Sequence, residues 1–189
     1  LEEELGIRVA SAYRWITRVF AYPHATVRLN FFRVTHWQGE VRPVEHDGMS
    51  WEFPAGVKVL PLLPANDPVL RALALPSEYA ITQCRDMGID AQLARMRERI
   101  EAGLRLIQVR EPRLADAQRE NFVARVLDLA RPSGVRILVN ADIGLARRMH
   151  ADGVHLTSLQ LRALGSRPDL PWVGASCHDS AQLRAAEHL

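Results

Sequence analysis

Leu104-Arg105-Leu106-Ile107-Gln108-Val109-Arg110-Glu111 is the stretch on which the fold turns. Its aliphatic and β-branched residues, broken by single polar ones, predict a short strand over Leu104–Arg110. Side chains leave a strand on alternate faces, so Gln108 and Arg110 share a face near its C-terminal end. An amphipathic helix pattern precedes it at Asp90–Ala102, and another follows at Leu114–Ala130. Further out come strand Val135–Asn140, helix Asp142–His150, strand Gly153–Leu156, a short helix near Leu159–Leu164 and strand Trp172–Ser176. A last helix starts at Asp179, and Tyr79-Ala80-Ile81-Thr82 supplies a first strand. Strands alternating with helices at this spacing predict an α/β fold with a parallel sheet. Five strands suit an open doubly wound sheet. They are fewer than an eight-stranded barrel needs, which takes ~250 residues. The pattern leaves both architectures open.

The grammar changes near Pro76-Ser77, which predicts a boundary between residues 1–75 and 76–189. The first part reads as a helix end followed by strands. Ala12–Ala21 and Ala25–His36 flank the turn Tyr22-Pro23-His24 and predict a hairpin. Trp51-Glu52-Phe53 reads as a short strand, and Asp67–Leu75 as a helix with Pro68 in its first turn.

Nearly half of the 189 residues are apolar (48%), enough for a real core. A formal charge of +2 argues against a nucleic-acid polymer or a membrane as bulk electrostatic partner. Lys58 is the single lysine beside many arginines, as a GC-rich genome would produce. Cys84 and Cys177 stand alone, without CxxC or Cys/His ligand spacing, so a reduced cytoplasmic location is expected. No apolar run approaches 18 residues.

The chain opens on Leu1-Glu2-Glu3-Glu4-Leu5-Gly6-Ile7. Clustered carboxylates suit a hard divalent ion such as Mg²⁺, which in turn bridges phosphate oxygens. The bland alternative is an acidic helix start stabilised by the helix dipole. Leu1, Glu3, Glu4, Gly6 and Ile7 resemble the closing part of the Nudix box, whose earlier Arg-Glu pair and glycine-rich loop would precede Leu1. The chain is therefore read as a fragment. Leu63-Pro64-Ala65-Asn66-Asp67-Pro68-Val69 is similar to the segment of MutT-type 8-oxo-dGTP diphosphatases in which an asparagine reads the oxidised purine. An amide offers a donor and an acceptor side by side, although Asn66 also suits a helix cap. The resemblance implies Mg²⁺ ligands at Glu3 and Glu4, a metal or base role for Glu45, nucleotide recognition by Asn66, and a nucleoside triphosphate substrate. With part of that motif missing, the 189-residue chain is expected to be inactive as a hydrolase.

In the second part, Tyr79–Thr82, Leu106–Glu111, Leu138-Val139-Asn140, Ala151–Leu156 and Val173–His178 resemble, in order, thiamine phosphate synthase and its relative TenI, a thiazole tautomerase. Both are (β/α)₈ barrels, so the resemblance implies an incomplete barrel of about five strands behind the C-terminal part of a Nudix α/β/α fold. It implies phosphate or pyrophosphate binding by Gln108, Arg110 and Asn140, with thiazole phosphate or thiamine phosphate as ligands. His178, at the end of the fifth strand, is a candidate catalytic residue. Three departures stand out. Pro112 occupies the position of a pyrophosphate-binding lysine, Ala141 follows Asn140 where the synthase has aspartate, and Gln160 replaces a second metal-binding aspartate. Asp142 is adjacent to the first of these. A synthase without its Mg²⁺ carboxylates loses charge compensation for departing pyrophosphate, whereas proton transfer of the TenI kind tolerates that loss. The expectation is a parent that hydrolyses oxidised nucleoside triphosphates with Mg²⁺, fused to a barrel degenerate as a synthase. The alternative is a thiamine-pathway enzyme or a non-catalytic barrel that binds a phosphorylated ligand.

Overall fold

A computed structural model describes the backbone of residues 1–189 and every side chain but that of Ala55. The chain forms two compact units, Leu1–Leu75 and Pro76–Leu189.

In the first unit a one-turn helix, α1 (Glu2–Leu5), is closed by Gly6 in the left-handed conformation at φ 68°. That backbone suits glycine, which carries no Cβ. A long antiparallel hairpin follows, β1 (Arg8–Tyr22) and β2 (Ala25–Gln38), pairing from Arg8↔Gln38 to Tyr22↔Ala25. The strands outrun the β-rich cores that mark them in the sequence, because pairing from the tight turn carries the ladder into the polar flanks. The short strand expected at Trp51-Glu52-Phe53 does not form; that segment is irregular, with Trp51 and Phe53 75% and 87% exposed. It has no partner strand, and an unpaired strand leaves its backbone groups to water. Helix α2 (Asp67–Leu73) closes the unit, with Pro68 in its first turn.

The second unit is a single sheet of five parallel strands: β3 (Ala80–Ile81), β4 (Leu106–Val109), β5 (Arg136–Asn140), β6 (Gly153–Leu156) and β7 (Trp172–Ala175). Between them run α3 (Cys84–Met87), α4 (Ile89–Glu101), α5 (Asp116–Ala130), α6 (Ile143–Arg148) and α7 (Ser158–Ala163), and α8 (Ser180–His188) follows β7. The strand order equals the chain order. A doubly wound sheet reverses direction at a switch point; this one does not, and so winds as a (β/α) barrel winds.

One face of the sheet carries the core. Ile107 and Val109, Ile137 and Val139, and Val154 and Leu156 point outward into one core with Leu93, Met96 and Ile100 of α4, Phe122, Val123, Val126 and Leu127 of α5, and Leu145 and Ala146 of α6. Burying each such side chain contributes about 1.5–3 kcal/mol. The other face carries the alternate residues, Gln108, Asn140, His155 and Gly174, in neighbouring register. No helix among the described residues is long and apolar enough to cross a membrane.

Candidate functional site

Strand alternation decides which side chains meet on the inner face. Gln108 is opposite Ile81, Asn140 opposite His155, and His155 opposite Gly174. Gln108 is buried, and its Nε2 donates to Tyr79 Oη at 3.2 Å. Tyr79 Oη lies 3.1 Å from His155 Nδ1, and His155 Nε2 lies 3.1 Å from Ser176 Oγ. The tyrosine and histidine rings stand 5.8 Å apart at 48°. Gly174 makes the space: a Cβ there would sit 2.8 Å from His155 Nδ1.

Gln108 donates at one end of this chain of bonds. The other two bonds follow the imidazole tautomer: with the ring proton on Nε2, Tyr79 Oη donates to Nδ1 and Nε2 donates to Ser176 Oγ, which frees the serine proton for a ligand. Burial, and secondarily the positive charge of Arg110, hold the His155 pKa below its ordinary value. Burial also raises the Tyr79 phenol, offset in part by the Gln108 bond. A neutral imidazole and a protonated phenol at neutral pH are the states this bonding needs.

Arg110 stands at the rim, exposed, where β4 ends. Its backbone N–H donates to Thr82 Oγ1 at 3.0 Å, and Thr82 N–H donates to Gln108 O at 3.0 Å. Glu111 turns inward. Its buried carboxylate accepts from Cys84 N–H at 2.9 Å and, after burial itself, helps push the Cys84 thiol up to about 12. Between the ends of β3 and β4 lies a cleft of about 400 Å³ whose lining includes Arg85, Arg110, Pro112 and Arg113.

The residues at the metal-ligand positions do not fit Mg²⁺. Gln160 Nε2 donates to Ala141 O at 2.6 Å, and Gln160 Oε1 accepts from Thr157 N–H at 3.1 Å. An amide closes the space where the resemblance places two carboxylates. Asp142 is no substitute: its carboxylate caps α6 by accepting from Leu145 N–H at 2.8 Å, and it faces Arg119 at 3.7 Å. Among the described residues no three His, Cys, Asp or Glu side chains are placed to hold a metal ion.

That finding extends to the acidic opening. Glu3, Glu4 and Glu45 are exposed and form no such group. Glu2 pairs with Arg8 at 3.0 Å, and the Glu4 carboxylate lies 3.9 Å from the amino group of Leu1. The loop carrying Glu45 is nevertheless laid along α1, with Arg42 N–H donating to Leu5 O and Val44 N–H to Glu4 O. Asn66 occupies the cap position of α2 without a side-chain capping bond. His178 is exposed, its backbone N–H held by Gln182 Oε1 at 3.0 Å; its ring joins no hydrogen bond among the described residues. The inner-face histidine whose ring does is His155, which motif spacing alone did not single out. Its place two residues after Gly153 on a strand face, level with Asn140 and Gly174, is the signal that marks it.

A family model described as thiamine monophosphate synthase matches residues 78–189, more than half of the chain. The chain belongs to the thiamine monophosphate synthase (TMP-TENI) family. A thiamine-phosphate synthase from Pelotomaculum thermopropionicum is 38% identical over 93 residues, covering 48% of this chain and 43% of that protein. One from Methylococcus capsulatus is 36% identical over 120 residues, covering 60% and 53%. A solved thiamine phosphate pyrophosphorylase from Pyrococcus furiosus aligns at 23% identity with a TM-score of 0.48, over 58% of this chain and 54% of that one. The chain spans about half the length of the curated relatives it matches. The family model falls on the unit that carries the inner-face network, and these comparisons give no support to the Nudix reading of residues 1–75.

Proposed function

We propose that the Pro76–Leu189 unit serves thiamine biosynthesis by binding a phosphorylated thiamine precursor, thiazole phosphate or thiamine phosphate. Arg110 would meet the phosphate and Asn140 would flank it, while Tyr79, His155 and Ser176 face the heterocycle. The observation that carries this reading is the hydrogen-bonded chain of Gln108, Tyr79, His155 and Ser176 beside an exposed arginine at the strand ends. It supports proton transfer or polar recognition of a heteroaromatic ring. A neutral imidazole is a base at neutral pH, and the Ser176 hydroxyl supplies a proton to a ring acceptor. It does not support metal-assisted loss of pyrophosphate, because Gln160 and Ala141 close on each other where carboxylates would be needed. Thermal shift with thiazole phosphate, thiamine phosphate and pyrophosphate in chelator-treated buffer tests the reading. A rise in melting temperature that Arg110→Ala removes is expected; a rise that survives Arg110→Ala places the ligand elsewhere. Pyrophosphate release on mixing thiazole phosphate with the pyrimidine pyrophosphate and Mg²⁺ would show synthase chemistry instead.

A second reading concerns Leu1–Leu75, as a Nudix-type segment that recognises an oxidised purine nucleotide. The observation that favours it is the uncommitted Asn66 amide at the α2 cap. Since the carboxylates do not fit Mg²⁺, only recognition is proposed. Stabilisation of the chain by 8-oxo-dGMP, lost in Asn66→Ala, is expected; the same stabilisation by unmodified dGMP would count against it.

A further inference from the structure

We propose that Arg85 and Arg113 join Arg110 in a phosphate-binding cleft that works without metal and restores the charge missing at Pro112. The inference rests on reading Arg110 as the phosphate contact. The three arginines come from separate places, α3, the end of β4 and the turn before α5, yet line one cleft of about 400 Å³. Few acids oppose them. The Glu111 carboxylate also lines the cleft, but it is buried and engaged by Cys84 N–H. Arg110 and Arg113 have no carboxylate within ion-pair distance among the described residues. Arg85 has one, Asp86 at 3.9 Å, but both side chains are exposed and Asp86 already accepts from Gln83 Nε2. Such exposed pairs bind weakly and yield readily to a better anion.

The chemistry of the cleft selects its ligand. Guanidinium groups stay charged at any physiological pH and offer paired N–H donors that match phosphate oxygens. Three of them around one opening suit a phosphate monoester or a diphosphate. The cleft opens at the C-terminal ends of β3 and β4, where Arg110 is also near enough to His155 to lower its pKa. A phosphate held there would direct the rest of its molecule toward the inner face.

Calorimetric titration of the 189-residue chain in chelator-treated buffer tests this, with pyrophosphate in one arm and inorganic phosphate in the other. Arg85→Ala and Arg113→Ala are each expected to weaken binding about tenfold, the loss of one charge-assisted contact. Arg85→Lys and Arg113→Lys should recover part of it, and Arg97→Ala, beside a different cleft on α4, should change nothing. Wild-type binding should need no added Mg²⁺. Tighter binding in the pyrophosphate arm would mark a diphosphate site, and equal affinity a monoester site. If Arg110→Ala abolishes binding while Arg85→Ala and Arg113→Ala match the wild type, the cleft is not the site and the reading of Arg110 stands alone. If the wild type binds neither anion, or binds only with Mg²⁺, the inference and the Arg110 reading both fail.

Discussion

Replacing Gly153 by alanine places a Cβ 1.9 Å from Trp172 O and 2.6 Å from its carbonyl carbon. The obstacle is backbone, which cannot rotate away as a side chain can. Strands β6 and β7 must part by about 1 Å before the contact reaches the 3.0 Å floor of real Cβ contacts. Parting loosens the pairing Gly153↔Trp172 and the adjacent bond from Trp172 N–H to Asp152 O. Two weakened ladder bonds cost about 1 kcal/mol each, and forced overpacking adds about 1–3 kcal/mol. The lower chain entropy of unfolded alanine returns about 0.4–1 kcal/mol. The net loss is about 2–4.5 kcal/mol, a large part of an ordinary stability of about 5–15 kcal/mol. With a urea m-value of about 2 kcal/mol/M, the middle of the usual range, the midpoint of the barrel unit should fall by roughly 1–2 M. Far-UV circular dichroism in urea measures it, and faster hydrogen exchange at Val154 and His155 would place the damage. Gly174→Ala is the internal comparison: its Cβ meets His155 Nδ1, a side-chain atom, at 2.8 Å, so the ring can swing at the cost of about one hydrogen bond. A Gly153→Ala protein within about 0.5 kcal/mol of wild type, or less damaged than Gly174→Ala, would refute the register of β6 and β7.

Other outcomes follow from the same geometry. His155 should titrate below the usual histidine pKa of about 6.5, because burial and Arg110 disfavour its cation; in Arg110→Ala its pKa, read from imidazole NMR shifts, should rise. The unfolded chain binds this proton more readily, so the His155 contribution to stability grows as pH rises from the folded pKa to about 6.5, and is flat above. A downward trend across that window would contradict the assignment. The Cys84 thiol, buried and pushed up to about 12, should stay unreactive toward a disulfide reagent at pH 8 while Cys177 reacts; two fast thiols would contradict that burial. Asp142→Ala should cost about 1 kcal/mol in thermal stability, the value of a helix cap, without altering the response to Mg²⁺. Asn66→Ala should leave stability within about 0.5 kcal/mol, since no capping bond is lost.

The fold was readable where local pattern and tertiary demand agree. The run at Leu106–Val109 alternates because one face must pack on α4 and α5 while the other carries Gln108. Gly153–Leu156 forms a strand with the expected ends, and the tight turn at Pro23-His24 marks the hairpin. Periodicity could not choose between a doubly wound and a sequentially wound sheet, since strand order is a property of the assembled sheet. Trp51-Glu52-Phe53 has strand chemistry but no partner, and α3 is too short to show a period. The candidate site was half legible. Gln108 and Arg110 follow from strand alternation alone. Tyr79 and His155 stand 76 residues apart, and only the folded sheet brings them to 3.1 Å. Asp142 looked available to a metal because a sequence does not display its capping bond. His178 is visible in the sequence by its place after a strand, whereas the bonded partners of His155 are not.

In the proposed function, Arg110 and the His155 network form one metal-independent site for a phosphorylated thiamine precursor. Titration of the wild-type chain and of Arg110→Ala with thiazole phosphate, in chelator-treated buffer and with His155 followed by NMR, tests it most directly. Saturable binding that moves the His155 resonances and weakens at least tenfold in Arg110→Ala, about the worth of one charge-assisted contact, is expected. Binding that leaves His155 unmoved, or that is equal in the two proteins, would contradict it.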